Sequence, residues 1–274
     1  MSDPKEYKMI GQGNTAEVYQ YGEGYILKLF RESMPMPAIE LEYRITKIVQ
    51  EHYEEVPKAL ELVEYKKRHG IVYEQIQGVN LIQLLSKNAL KMKEYTKMFA
   101  SIHVSLHQKE VDVHYSLKDK LKRDIDSCQD LNLREKEAIK QYIDRLPEKK
   151  QLCHFDFHPG NIMIADQKPY VIDWMTACTG DANADVARTM LLMQVGEMMH
   201  INRLKQFVLR RLTKKIGNDY FREYQRQTGI LREEVEDWIL PVAAARLSEW
   251  ITDHERVRLV TLVRKKLAEL EKKQ

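Results

Sequence analysis

The apolar pattern of this chain changes period once, near residue 77, and that change restricts it to a small β-sheet followed by a larger helical region. Before the change, Tyr7–Ile10, Glu17–Tyr21 and Tyr25–Phe30 are short β-branched or aromatic runs, the last two joined by Gly22-Glu23-Gly24. Four of the eleven glycines (Gly11, Gly13, Gly22 and Gly24) crowd into this stretch, so the backbone bends sharply or is closely approached there. Pro35 and Pro37 introduce a helical period over Ala38–Glu51, carried by Leu41, Ile45, Ile48 and Val49. Ala59–Tyr65 and Ile71–Ile76 then flank the charged turn Lys66-Lys67-Arg68-His69-Gly70, a second hairpin. The expected fold is α+β: five antiparallel strands with one helix over residues 1–76, and a mainly helical region over 77–274.

Beyond that boundary Tyr95, Met98, Phe99, Ile102 and Leu106 form one helical stripe, and amphipathic segments run from about 116 to 146. One hairpin interrupts the helices, with Ile162–Ile164 and Tyr170–Asp173 as strands and Pro169 at the turn, and everything after Asp185 reads as helix. A net charge of +3, from 44 basic and 41 acidic residues, argues against a protein that blankets nucleic acid with positive charge. Three cysteines without C-x-x-C spacing indicate neither a disulfide framework nor a zinc knuckle, which fits a reducing, cytoplasmic setting. The polar start Met1–Glu6 and the apolar run Trp238–Leu247, broken by Pro241, offer no targeting peptide or membrane span.

Two motifs carry chemistry. Ile10-Gly11-Gln12-Gly13-Asn14-Thr15-Ala16-Glu17-Val18 is a G-x-G-x-x-A-x-V run between two strands, where absent Cβ atoms let backbone approach a phosphate. It neither opens a helix nor continues into Gly-Lys-Ser/Thr, so it is not a dinucleotide fingerprint or a Walker A loop. Lys28, in the strand after this loop's hairpin, is placed to reach phosphate oxygens. The second motif is Cys153-His154-Phe155-Asp156-Phe157-His158-Pro159-Gly160-Asn161, followed by Ile172-Asp173-Trp174. Asp156, Asn161 and Asp173 supply hard oxygen donors suited to Mg²⁺, whereas His154 and His158 lack the further soft ligand that zinc requires.

In order and spacing these motifs resemble the protein-kinase-like fold, and within it the aminoglycoside phosphotransferase and choline kinase family, from about Ile10 to Asp185. The resemblance implies a bilobal, ATP- and Mg²⁺-dependent enzyme that moves the γ-phosphate to a hydroxyl group. Gly11, Gly13, Asn14 and Thr15 would then cover the ATP phosphates, Lys28 would hold the α/β-phosphates and Glu42 would pair with Lys28. Glu42 shares a helix face with Ile45 and Val49, whereas Glu40 points elsewhere. Residues 73–78 would form a hinge at which the backbone of Glu74 and Ile76 meets adenine. Asp156 would accept the hydroxyl proton, Asn161 and Asp173 would bind Mg²⁺, and His154 and the Gly180–Asp185 stretch would brace the loop.

The chain departs from the family pattern at Phe155, where arginine or glycine is usual, and at Trp174-Met175, where Phe-Gly is usual. No Ala-Pro-Glu follows, and seven residues between Asp173 and Asp181 are too few for a peptide-docking segment. A small-molecule acceptor is therefore expected rather than a protein; a protein kinase and a non-catalytic pseudokinase are the alternatives, although the latter would normally lack one of the four key residues. Acidic residues near the C-terminus hold cationic substrates in aminoglycoside phosphotransferases, which makes Glu249 and Asp253 the candidate acceptor contacts. His103 and His107 lie one helical turn apart on what reads as a structural helix, and Trp238 and Trp250 fall in apolar stripes that belong to the core. Glu233, Glu234, Glu236 and Asp237 read as a solvated helix start.

Overall fold

The structure is a computed structural model that describes residues 6–196 and 203–272, so the polar start at 1–5 and the helical reading at 197–202 lie outside the described residues. Strands β1 (Met9–Gln12), β2 (Ala16–Gln20), β3 (Tyr25–Phe30), β4 (Ala59–Tyr65) and β5 (Arg68–Glu74) form one sheet in the order β1-β2-β3-β5-β4. Every neighbouring pair in it is antiparallel, as expected. Gly22 and Gly24 have φ of 76° and 77°, left-handed values that suit glycine and let the β2–β3 connection close.

The β4–β5 turn is tighter than the charged five-residue turn read from the sequence. Lys66 and Lys67 both adopt positive φ, 50° and 61°, so two residues close the hairpin and Arg68–Gly70 are already strand. Helix α1 (Met36–His52) begins with a proline in its first turn and buries Ile39, Glu42, Ile45 and Val49, with Glu40 exposed. One face of the sheet packs Ala16, Phe30, Ile71 and Tyr73 with Ile39 of α1. The other buries Leu27, Leu29 and Val72 beneath Tyr7, Tyr19, Tyr21 and Tyr65.

The chain continues through β6 (Val79–Asn80), α2 (Leu81–Lys87), α3 (Met92–His107), α4 (Leu117–Ser127), α5 (Leu133–Arg145), β7 (Gln151–Cys153), β8 (Ile162–Ala165), β9 (Lys168–Val171) and β10 (Cys178–Gly180). Helices α6 (Ala182–Val195), α7 (Arg203–Thr228), α8 (Arg232–Arg246) and α9 (Asp253–Glu271) complete it. The expected hairpin is β8–β9, but its turn is Asp166-Gln167, at φ 48° and 64°, and Pro169 lies inside edge strand β9. The hairpin is not the sole interruption of the helices, because β7 pairs antiparallel with β10.

Two compact units result: residues up to Lys87 together with Pro159–Ala177, and Asn88–His158 together with the chain from Cys178 onward. They differ from a linear division at residue 77 because β6 pairs with β8, Val79 opposite Ile164, which draws the β8–β9 hairpin into the sheet unit. In the helical unit side-chain caps fix several starts: Ser116 on α4, Asn132 with Glu135 as a capping box on α5, Asp181 on α6 and Thr252 on α9. All three cysteines are free and buried. Among the described residues no helix is long and apolar enough to cross a membrane.

Candidate active site

Strand β3 alternates Ile26, Lys28 and Phe30 on the α1-covered face of the sheet, which brings Lys28 to Glu42, one of the buried positions of α1. Lys28 Nζ donates to Glu42 Oε1 at 2.7 Å and to Asp173 Oδ1 at 2.8 Å, so three of the residues named from sequence form one cluster. Burial works against the Lys28 charge, but Asp173 and then Glu42 outweigh it and push the ammonium above its ordinary range. Burial moves the Glu42 carboxyl upward, only partly countered by Lys28. Tyr73 OH donates to Glu42 Oε1 at 2.9 Å, a contact with no sequence signal, whereas Glu42 Oε2 is buried without a hydrogen-bond partner.

The glycine loop is exposed from Gly11 to Asn14. Neither Gly11 nor Gly13 has positive φ, and a Cβ at either would find its nearest neighbour at 3.8 Å, an ordinary contact. The protein's own packing therefore does not demand glycine at either position. Arg31, which sequence reasoning missed, clasps the loop from its carbonyl side. Its Nε donates to Asn14 O at 2.9 Å, its Nη2 to Gly13 O at 3.0 Å and its backbone N–H to Thr15 O at 2.9 Å. At the end of β5 the Glu74 N–H is given to Lys58 O at 2.9 Å, and in the connector that follows the Ile76 carbonyl accepts from Gly78 N at 3.1 Å.

Asn161 ends the one-turn helix Pro159–Asn161 and is buried, and its carbonyl accepts the Ile172 N–H at 2.9 Å, next to Asp173. Asp173 has φ of 68°, a strained left-handed conformation for a non-glycine residue, and keeps 37% of its side chain exposed. An amide oxygen and a carboxylate with solvent access form a donor set that fits a hard divalent cation such as Mg²⁺. Trp174 replaces the usual phenylalanine without loss of anchoring. It is buried, its Nε1 donates to Val171 O at 3.0 Å, and its ring meets Tyr53 edge-on at 6.5 Å.

In the helical unit Asp156 follows β7 in a loop held from behind by Asp185 of α6. Asp185 Oδ2 accepts the His154 N–H at 2.6 Å and Oδ1 accepts the Phe155 N–H at 3.0 Å. His103 Nε2 and His107 Nε2 lie 3.2 and 3.3 Å from the same Oδ2; the first is off the angle for a hydrogen bond, so its attraction is electrostatic. Tyr220 OH and Tyr224 OH meet the Nδ1 atoms of His103 and His107, each at 2.7 Å. Burial opposes the Asp185 charge, yet the two imidazoles hold it well below the usual carboxylate range, while burial and then His107 push His103 down to about 3. These two histidines therefore belong to the loop's brace, as does His154, whose Nδ1 accepts the Asp156 N–H at 3.2 Å.

Phe155 adopts φ of 61°, the left-handed region that glycine enters without strain. The chain holds a phenylalanine there through the Asp185 bond, a donation from Arg188 Nε to Phe155 O at 3.2 Å, and burial of the ring. Asp156 has 29% of its side chain exposed, with His158 Nε2 at 3.7 Å. Burial raises its carboxyl, but His158, Arg188 and His154 outweigh this and keep it ionised far below the usual range.

Of the two expected acceptor contacts, Asp253 is exposed in the first turn of α9. Glu249 is already engaged, with Arg188 Nη2 at 2.8 Å and Arg246 Nη1 at 2.8 Å. Trp238 lies in the core at 1% exposure, but Trp250 is 95% exposed on the α8–α9 connector, contrary to the core position its stripe suggested.

The model of the phosphotransferase enzyme family matches residues 6–199. The chain belongs to that family. Solved structures similar to this phosphotransferase include the gentamicin complex of the aminoglycoside phosphotransferase APH(2'')-IIa, at 16% identity over 97% of this chain and 91% of that one, with a TM-score of 0.57. A type VIII aminoglycoside-3'-phosphotransferase aligns at 14% identity over 89% of this chain and 93% of that one, with a TM-score of 0.56. At these identities the likeness is one of fold. No curated protein matches the chain.

Proposed function

We propose that this phosphotransferase moves the γ-phosphate of ATP, with Mg²⁺, to a hydroxyl group of a small molecule. The observation that carries the reading is the cluster in which Lys28 is held between Glu42 and Asp173, since a lysine fixed and kept charged in this way serves a polyphosphate. A protein of the same fold, at a TM-score of 0.56 and 15% identity over 96% of this chain and 92% of that one, is described in a streptomycin–ATP ternary complex, which supports ATP as donor.

Gly11 to Thr15, clasped by Arg31, give the triphosphate a close backbone cover, and Lys28 neutralises its oxygens. Because the Glu74 N–H and the Ile76 carbonyl are used internally, adenine is met by the Glu74 carbonyl and the Ile76 N–H. Asn161 and Asp173 would hold Mg²⁺, which would supply positive charge against the negative charge of the transferring phosphate. Asp156 receives the proton of the attacking hydroxyl. A carboxylate held this far down is a weak base, so Asp156 orients the hydroxyl in the ground state and takes its proton late, as a loose phosphoryl transition state requires.

The test is Asp156→Asn, which leaves ATP affinity by calorimetry nearly unchanged while phosphoryl transfer falls by about 10²-fold or more. Undiminished transfer in that variant removes Asp156 from the chemistry.

A further inference from the structure

Two successive peptide groups of the glycine loop are held by one side chain. Arg31, the first residue after β3, donates from Nη2 to Gly13 O at 3.0 Å and from Nε to Asn14 O at 2.9 Å. No peptide bond among the described residues is cis, and in a planar trans peptide the N–H points opposite to the carbonyl. The amides of those same two peptides, Asn14 N–H and Thr15 N–H, therefore point away from Arg31 on one side of the loop. Neither has a hydrogen-bond partner among the described residues, whereas the Gly13 N–H is spent on Ala16 O at 2.8 Å and the Thr15 carbonyl accepts from Arg31 N at 2.9 Å. Two consecutive free amides that face the same way form a cradle for an anionic oxygen. A guanidinium on the carbonyl side polarises both peptides in the direction that favours an anion at their N–H groups.

The clasp is itself anchored. Arg31 Nη1 lies 3.9 Å from Glu17 Oε1, and Glu17 Oε2 accepts from Arg68 Nη1 at 2.7 Å and from Tyr19 OH at 2.9 Å. These bonds, that of Arg68 first, hold the Glu17 carboxyl below its usual range, so it stays an anion beside the clasp. Arg68 spends its Nε on Phe30 O at 2.8 Å and its Nη2 on Leu29 O at 3.2 Å, the carbonyls of the two residues before Arg31. Arg31 thus starts from a fixed strand end and bears on a loop that is exposed from Gly11 to Asn14. Without such a clasp an exposed loop turns its peptides freely to water, and a ligand has to order them on binding. Resting on the phosphotransfer reading above, we propose that Arg31 is a positioning residue for the phosphate chain of the nucleotide: it works through two peptide groups, aims the Asn14 and Thr15 amides at phosphate oxygens, and does not touch the nucleotide itself.

The experiment compares the affinities of the whole enzyme for adenosine, ADP and ATP by calorimetry, each with Mg²⁺. Arg31→Gln should weaken ADP and ATP by about tenfold, the size expected of losing charge-assisted hydrogen bonds that water partly replaces, and leave adenosine unchanged. Arg31→Lys keeps the positive charge but loses the planar fork that spans two carbonyls, so it should recover little of that loss. Equal weakening of adenosine would reduce Arg31 to a structural residue. Full recovery in Arg31→Lys would place the effect in the charge rather than in the peptides it holds, and unchanged affinity for ADP and ATP would leave Arg31 without a part in binding. Each of these three results overturns the proposal, and each leaves the phosphotransfer reading standing as long as the parent enzyme binds ATP more tightly than adenosine. A parent that binds ATP no more tightly than adenosine sinks that reading, and the role of Arg31 with it.

Discussion

In the sheet unit one cation, Lys28, faces two carboxylates, Glu42 and Asp173, and a buried Glu42 oxygen has no hydrogen-bond partner. In the helical unit one carboxylate, Asp185, is met by two imidazoles and two backbone N–H groups. Both clusters are buried and polar, but their accounts close differently. The first sets one lysine against two carboxylates and has an exposed edge at Asp173. In the second both oxygens of the carboxylate are hydrogen-bonded, by two backbone N–H groups and by His107. On the proposed reading the first cluster is finished by a ligand, whereas the second fixes a loop.

The sharpest way to break this comparison is Asp185→Ala. Removing the acceptor orphans the His154 and Phe155 amides and leaves Phe155 strained without its anchor, so urea unfolding should show a loss of about 3–5 kcal/mol, the range for breaking a buried charged network. A loss below about 1 kcal/mol would mean that the loop holds itself and that Asp185 is no brace.

Much of both clusters is legible in the sequence, for reasons that differ. Lys28, Glu42 and Asp173 are readable because the G-x-G-x-x-A-x-V and Ile-Asp-Trp runs carry a family resemblance that implies their roles, and the helix period then separates Glu42 from Glu40. Arg31, Tyr73 and Arg188 are not readable, because each acts across a sequence gap, such as the 31 positions that separate Tyr73 from Glu42, and no motif marks them. The two-residue turns at Lys66-Lys67 and Asp166-Gln167 are hidden for a different reason, since lysine and glutamine carry no strong signature for left-handed backbone, and Pro169 is a competing turn signal beside Asp166. Trp250 misled because a helical stripe was extended through residues that form a connector. Glu249 is readable as an acidic residue of the C-terminal region, but its partners Arg188 and Arg246 come from α6 and α8, and no local pattern encodes that pairing.

Lys28→Met probes the other cluster. Phosphoryl transfer should fall by about 10²-fold or more, because the phosphate oxygens lose their fixed cation. The stability cost should be smaller than that of Asp185→Ala, because Glu42, whose carboxyl burial already pushes upward, can take a proton in place of its lost partner. The sign follows from linkage. A carboxyl raised in the folded state adds stability below its unfolded value and loses it as pH rises through the folded value, so this variant should recover stability relative to the parent as the solution is acidified. Stability curves for the two proteins that stay parallel from pH 8 to about pH 5 would show that Glu42 does not protonate, and the distinction between a relaxable and a rigid cluster would fail.

The smallest expected effect tests the rigidity of the brace itself. Burial, and next the facing His107, push His103 down to about 3 from an ordinary value of 6.5, with Asp185 pulling the other way and His154 adding to the depression. Tyr220 and Tyr224 also face the pair, both with phenols raised by burial, so neither titrates in the relevant range. Below the ordinary value the unfolded chain protonates His103 while the folded one does not. The contribution is therefore fully present above about pH 6.5 and is lost as pH falls toward the folded value, with a limiting slope of about 1.4 kcal/mol per pH unit. Between pH 6.5 and 5 other carboxylates change little, so His103→Gln should flatten the dependence of unfolding free energy on pH by an amount approaching that slope. An identical slope in parent and variant would mean that His103 is protonated within the fold. Asp185 would then be half of an ordinary ion pair, and the helical cluster would respond to acid in the same way as the sheet cluster it has been contrasted with.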